Sequence, residues 1–132
     1  MTCLAVKAGI TIYERGTFDQ IFQWLTGVAE DEVDLTGYTA EFTVRATMSA
    51  TTALITATTG IIPWAADVDS GVYFDDAADG KYRIYINDED TQDICSAHAD
   101  IAGYYDLFLT SPAGEVVLKQ YGACKIKAAV TQ

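Results

Sequence analysis

The chain has little proline, histidine and positive charge. Of its 132 residues, two are proline, one is histidine and eight are lysine or arginine, against 19 aspartates and glutamates. The formal charge of −11 argues against nucleic-acid binding, because affinity for phosphate backbones rests largely on lysine and arginine. No apolar run approaches the length of a transmembrane helix, so we expect no membrane span and no membrane partner.

Cysteine is also scarce and widely spaced. Cys3, Cys95 and Cys124 are far apart in sequence, which excludes a CxxC zinc or redox motif. We expect reduced thiols in the core or at the surface, with a Cys3–Cys124 bridge as the alternative. The first residues lack a basic segment followed by an apolar core, so we expect no signal peptide and folding in the cytoplasm of the producing cell.

The common catalytic motifs are missing as well. The chain contains no GxSxG, no phosphate-binding P loop, no GxGxxG and no HExxH. His98 lies near Ser96 and Asp100, but this polar connector has no oxyanion-type motif, so an exposed loop histidine is favoured over a catalytic triad. We therefore predict a protein that is not an enzyme, with no catalytic residues and no cofactor.

Residues 64–80 are rich in aspartate and form a weak candidate for a calcium site, since Ca²⁺ takes several oxygen ligands. Their spacing does not match the EF-hand loop, so a solvated acidic loop is favoured and no metal is assigned. The candidate ligands are Asp67, Asp69, Asp75, Asp76 and Asp79.

A clear strand signal is present at residues 38–46. Apolar residues occupy every second position, and polar residues fill the positions between them. This period of two predicts a strand with one face in the core and the other in water. Gly37 marks the turn before it. The inward set is Tyr38, Ala40, Phe42 and Val44, and the outward set is Thr39, Glu41, Thr43 and Arg45.

Other strand-like segments follow along the chain. Turn signals separate them about every eight to twelve residues, which is typical of an antiparallel sandwich or barrel. We predict an all-β single domain over 1–132, with about seven to nine strands and one short helix. The helix is expected near 89–97, capped by Asp88 or Asp90, with Ile94 packing inward. The main strands are expected near 4–13, 17–25, 38–46, 54–58, 72–74, 81–87, 104–110 and 115–128, the last bulged at Gly122.

Outward apolar residues and sheet edges are the predicted contact surfaces. In the strand at 17–25 the core face holds Phe18, Phe22 and Trp24, so Ile21 and Leu25 lie on the opposite face, which implies either burial on both faces or a patch for a partner. The strand at 81–87 places Tyr82, Ile84 and Ile86 inward and Tyr85 outward. The interface candidates are Ile21, Leu25, Trp64 and Tyr85, together with the predicted edge strands 4–13 and 115–128.

Four segments carry a family resemblance: RGTFDQIFQWL, VDLTGYTAEFTVR, GKYRIYINDEDT and YYDLFLTSPAGEVVLKQYGACKI. Over residues 9–127 the chain resembles small tail-associated proteins of bacteriophages and prophages, and it is similar to the N-terminal module of phage baseplate upper proteins. It departs from their pattern at residues 15–17, where an acidic residue commonly precedes the threonine, and in the aspartate-rich stretch 64–80.

The resemblance implies an immunoglobulin-like sandwich that serves as a building block of a virion. The expected protein is a non-enzymatic structural subunit of the tail, neck or baseplate, made in the bacterial host cytoplasm. Its expected partners are other virion proteins and copies of itself. A capsid decoration protein is the first alternative. A carbohydrate- or receptor-binding module using Trp64 and the acidic loop, with or without Ca²⁺, is the second, and a small β-sandwich hydrolase is the third.

Overall fold

The computed structural model of the chain describes residues 6–26, 31–32, 34–47, 49–60, 70–92, 94–95 and 99–128. The regular structure of this part is mostly β-strand, which confirms the all-β prediction. A single 3-10 turn (Ala77–Asp79) and a short helix α1 (Asp88–Thr91) complete the described elements. The strands are β1 (Val6–Lys7), β2 (Ile10–Tyr13), β3 (Phe18–Gln23), β4 (Leu25–Thr26), β5 (Asp31–Glu32), β6 (Thr39–Arg45), β7 (Ile55–Thr58), β8 (Gly71–Asp76), β9 (Lys81–Ile86), β10 (Ile101–Thr110) and β11 (Val116–Lys127).

The larger sheet has the strand order β1-β11-β10-β6-β7, and β2 also pairs with β11. Strands β1 and β2 run parallel to β11, whereas the other pairs are antiparallel. The prediction of a purely antiparallel fold is therefore wrong at this side of the sheet. The prediction that 115–128 is an edge strand is also wrong over 120–127, because there β11 lies between β10 and the first two strands.

The smaller sheet has the order β3-β9-β8, and β4 and β5 form a separate two-stranded ladder. One parallel bridge between Thr59 and Val72 joins the end of β7 to β8, so the two sheets curl toward each other. Their facing sides share one apolar cluster, and burial of this surface is the main favourable term in folding. Its fully buried members from the two sheets include Ile12, Phe42, Val44, Leu107, Ile126, Val72 and Ile84.

Strand β6 follows the alternation predicted from the sequence. Ala40, Phe42 and Val44 are buried, and Tyr38 is half-buried just before the strand. The turn that precedes it closes through a hydrogen bond from Tyr38 N to Leu35 O. Gly37 has a φ of 83° in this turn, where a side chain would be strained. The register of the strand is thus fixed by the turn as well as by the core.

The helix is shorter than predicted, because α1 ends at Thr91 and Gln92 is already extended. The buried Thr91 hydroxyl donates to Gly16 O at 2.8 Å, which ties the chain to the turn between β2 and β3. The capping residue is Asn87, whose side chain accepts from Glu89 N, rather than Asp88 or Asp90. Ile94 packs against the core as predicted.

The bulge in the last hairpin lies at Lys119 and not at Gly122. The register passes from Leu107 opposite Gln120 to Phe108 opposite Leu118, so Lys119 is the extra residue. The bulge turns this lysine inward, where it is 4% exposed and its Nζ lies 4.6 Å from the centre of the Trp24 ring. A cation over an aromatic face is stabilised by the ring quadrupole.

Two of the three cysteines are free and buried, as expected for reduced core thiols. Cys95 and Cys124 form no disulfide, and Cys3 lies outside the described residues. Burial raises the pKa of the Cys124 thiol to about 12. Both described thiols therefore act as small apolar core groups.

Candidate binding face

The outer face of the larger sheet carries a groove of about 540 Å³. It lies over β1, β6, β10 and β11 on the side turned away from the core. Its side chains come from rows of directly opposed residues, since alternate residues of neighbouring strands share a face. The described part of the chain thus presents a preformed concave surface rather than a flat sheet.

The middle row crosses four strands. Asp106 of β10 stands opposite Thr43 of β6 on one side and Tyr121 of β11 on the other. Lys7 of β1 stands opposite Tyr121 and ends the row. Thr43 is buried although it faces outward, so it lies at the bottom of the groove.

Aromatic and apolar side chains flank the middle row. On one side Tyr104 stands opposite Arg45, and on the other side Phe108 stands opposite Leu118. Tyr104 is 44% exposed and Tyr121 is 38% exposed. Exposed tyrosines beside an arginine are the composition that protein interfaces favour, because large amphipathic rings bury much area for little loss of side-chain entropy.

Asp106 is the acidic group of the groove. Partial burial raises the pKa of its carboxyl, which nearby Glu41 also raises, while the positive charge of Arg45 lowers it. Desolvation is the largest of these influences, so the ionised form of Asp106 destabilises the folded state. A ligand that donates a hydrogen bond or a positive charge to Asp106 would offset that destabilisation.

Replacing Asp106 with asparagine is expected to raise the free energy of unfolding near neutral pH by up to about 0.5 kcal/mol. Because the folded-state pKa lies above the unfolded value, the folded chain binds this proton more tightly. The stabilisation that this proton gives the folded chain is complete below the ordinary carboxyl pKa. It is lost as the pH rises through the raised folded-state pKa. Urea titrations at several pH values would measure the difference, which should vanish in acid.

The control for this substitution is Asp76→Asn, which removes the same charge from an exposed position outside the groove. It should show no matching pH-dependent gain. An equal gain in both variants would mean that the free energy of unfolding rises because net charge is relieved, and not because a desolvated carboxylate is removed from the groove.

The sequence-predicted interface residues do not gather at this groove. Ile21 faces outward on β3 and is 50% exposed, as predicted. Trp64 and the side chain of Leu25 lie outside the described part of the structure. Tyr85 is only 4% exposed, so its prediction as an accessible contact residue is wrong.

Tyr85 is buried on the outer face of the smaller sheet, in its central strand β9. It stands opposite Gly71, where an added Cβ would lie 3.2 Å from Tyr73 Cε1. Tyr73 is buried on the same side, and an added Cβ at Gly60 would overlap its ring. These two tyrosines stand apart from the central cluster, a tertiary effect that alternation alone could not predict.

The acidic candidates for calcium do not converge in the described residues. Asp67, Asp69 and the side chain of Asp75 lie outside those residues, and Asp76 and Asp79 are exposed. Within the described ranges no three His, Cys, Asp or Glu side chains are grouped so that they could hold a metal ion. His98 and Ser96 also lie outside, while the carboxylate of Asp100 accepts from Ala128 N at 2.9 Å and lies 3.5 Å from Lys127 Nζ.

Sequence reasoning missed the groove, although the signal was present. The three middle outward positions of β10 are Tyr104, Asp106 and Phe108, two of them aromatic where a wet face would be polar. What the sequence could not show is that β6 and β11 flank this strand and bring Arg45 and Tyr121 beside it.

In the described residues no helix has the length and apolar character needed to cross a membrane. A scan of the chain against protein-family models finds no match, and a search of the curated proteins finds none either.

Proposed function

We propose that this chain is a non-enzymatic structural subunit of a bacteriophage particle, in the tail, neck or baseplate region, and that it docks onto another virion protein through the groove of the larger sheet. The observation that carries the proposal is the preformed groove lined by Tyr104, Tyr121 and Arg45. The resemblance of four sequence segments to tail-associated phage proteins gives the context.

The proposal includes an immunoglobulin-like arrangement of the strands. In such sandwiches one sheet contains neighbouring strands B, E and D, and the other contains G, F, C and, in the variable type, C′. Here the smaller sheet has the order β3-β9-β8, and the larger sheet contains β11-β10-β6-β7. Numbered along the chain, these strands occupy the places of B-E-D and G-F-C-C′, which supports the assignment.

A partner protein suits the chemistry of the groove. Its lining is mostly apolar, and its charged groups are few: Asp106, Arg45 and Lys7. The chain as a whole has a formal charge of −11. Because two basic residues line the groove, an acidic or neutral partner is repelled less there than at the rest of the surface. A partner ring or aliphatic side chain between Tyr104 and Tyr121 would be the expected anchor.

Replacing both Tyr104 and Tyr121 with alanine is expected to reduce incorporation into particles by at least about 30-fold, since losing an interface anchor costs about 2 kcal/mol or more. Both tyrosines are partly exposed, so the domain should remain folded. The measurement is the number of tagged copies per particle after gradient purification, by quantitative mass spectrometry. Labelling of the tag in electron micrographs gives the position.

Tyr13→Ala is the matched control, because Tyr13 is a 62% exposed tyrosine on β2 outside the groove. It should be incorporated like the unaltered chain. Label on the capsid shell would favour the decoration role over the tail role. Absence of the unaltered chain from purified particles would overturn the proposed function.

A further inference from the structure

We propose that β3 is a self-association edge, through which two copies of this chain pair in antiparallel fashion about a two-fold axis at Ile21. The pairing would join the smaller sheets of the two copies into one continuous sheet. The proposal concerns a different surface from the groove and does not depend on the virion partner.

Among the described strands, β3 lies at one edge of the smaller sheet. In the constant-type sandwich, strand A pairs with strand B on this side. Here the first strands, β1 and β2, pair with β11 of the other sheet instead. Among the strands that the structure describes, β3 therefore has a neighbour, β9, on one side only.

The strand is regular, and of the usual devices that protect an edge it carries only one charged residue, Asp19. All six residues of β3 pair with β9 without a register shift, and the sequence Phe-Asp-Gln-Ile-Phe-Gln contains no proline, glycine or lysine. Natural sheets often protect their edges with proline, with charged side chains such as lysine, or with bulges. By contrast, the described edge strand β7 has only four residues and is bridged to β8 just beyond its end.

The backbone alternation fixes which peptide groups face outward. The amide of Trp24 donates to Gly80 O on the β9 side, and successive peptide groups of a strand point to opposite sides. Those of Phe22 and Gln20 thus face β9, and those of Ile21 and its odd-numbered neighbours face the open edge. A second β3 centred on Ile21 would find about six backbone hydrogen bonds there.

The side chains are self-complementary in this register. Ile21 stands beside Ile21 of the second copy, and Asp19 stands beside Gln23 of the second copy, so no like charges oppose each other. Asp19 is the strand's one charged residue, and its carboxylate lies 2.6 Å from Arg83 Nη1. The edge is therefore nearly neutral on a chain whose formal charge is −11, and a second copy fits it better than a charged segment would.

The association is expected to be weak and to strengthen with salt. A single strand pair buries less than the roughly 1,200 Å² of a standard interface. The net charge of each copy repels the other across the solvent, and salt shortens the range of that repulsion from about 10 Å at 0.1 M to about 3 Å at 1 M. Sedimentation equilibrium should therefore show more dimer at high salt.

Disulfide trapping tests the register directly. In a Cys3→Ser background, Ile21→Cys should form a covalent dimer under mild oxidation, because hydrogen-bonded antiparallel pairs have Cα atoms about 5.5 Å apart, within the range of disulfides. Gln23→Cys is the matched control, since its two copies would lie about 13 Å apart along the strands. Faster trapping of Gln23→Cys, or no trapping of Ile21→Cys in a folded chain, would overturn the proposal.

A charge swap separates loss of pairing from loss of folding. Ile21→Lys and Ile21→Glu should each be monomeric, because like charges meet at the axis, while an equal mixture should form a heterodimer. Val116→Lys changes another exposed apolar side chain, 61% exposed and on the other sheet, and should leave the dimer intact. Dimers of Ile21→Lys alone, or no heterodimer in the mixture, would contradict pairing through this edge.

Discussion

Replacing Phe42 with alanine is expected to lower the free energy of unfolding by about 3–5 kcal/mol, the usual cost of removing a large aromatic ring from a core. Phe42 is fully buried in β6. It stands between Leu107 and Ala57 of the two flanking strands, and its ring centre lies 5.6 Å from that of Tyr105. Guanidinium unfolding followed by tryptophan fluorescence would measure the loss.

The size of this effect follows from close packing on several sides. The space left by the ring cannot be filled by neighbours, because they are held in the strands that flank β6. The ring also contributes an aromatic pair with Tyr105, worth about 0.5–1.5 kcal/mol beyond its buried area. A domain of this size has a total stability of only about 5–15 kcal/mol, so the variant should be close to unfolded at elevated temperature.

Phe108→Ala is the matched control for this substitution. Phe108 is a half-buried phenylalanine on the neighbouring strand β10, where it stands opposite Glu41 on the outer face. Its removal should cost no more than about half as much, in proportion to the smaller area it buries. Equal losses for the two variants would mean that the outer face is as tightly packed as the core, and the groove would then be no open binding surface.

The faces of the strands could be predicted from the sequence because each is decided locally. In β6 and β9 the side chains alternate sides whatever the neighbouring strand is. Burial of Phe42, Val44, Tyr82 and Ile84 confirms the predicted inward sets. The turn before β6 was also predictable, since a positive φ calls for glycine at Gly37.

The neighbours of each strand could not be predicted, because pairing depends on contacts between distant residues. The parallel placement of β1 and β2 beside β11 leaves no mark in the alternation of any single strand. Tyr85 is buried although it lies on the outer face of β9, and the alternation of β9 alone does not predict this. The groove is a further consequence of pairing, since Thr43, Asp106 and Tyr121 are brought together by register alone.

A second large effect is expected at Gln120, which connects the two sheets through hydrogen bonds in the core. Tyr82 of the smaller sheet donates its hydroxyl to Gln120 Oε1 at 2.7 Å. Gln120 Nε2 donates to the Tyr105 hydroxyl at 2.9 Å, and that hydroxyl donates to Ala8 O at 2.6 Å. Burial raises the pKa of Tyr82 well above its ordinary value, so its hydroxyl stays a donor while the chain is folded.

Replacing Gln120 with methionine is expected to lower the free energy of unfolding by about 2–3 kcal/mol. Methionine is similar in length, so the packing changes little, but it leaves the buried Tyr82 hydroxyl without its acceptor. An unsatisfied buried donor costs about 1–3 kcal/mol. Urea unfolding of the variant at neutral pH measures the loss.

A double-mutant cycle with Tyr82→Phe separates this hydrogen bond from packing. Tyr82→Phe alone leaves the Gln120 oxygen without the donor of its hydrogen bond, whereas the double variant removes both partners of the bond between the sheets. The double variant should therefore be more stable than the sum of the single losses predicts, by about 1–2 kcal/mol. Additive losses would mean that the hydrogen bond between Tyr82 and Gln120 adds no stability beyond packing, and that Gln120 is buried without contributing to the alignment of the sheets.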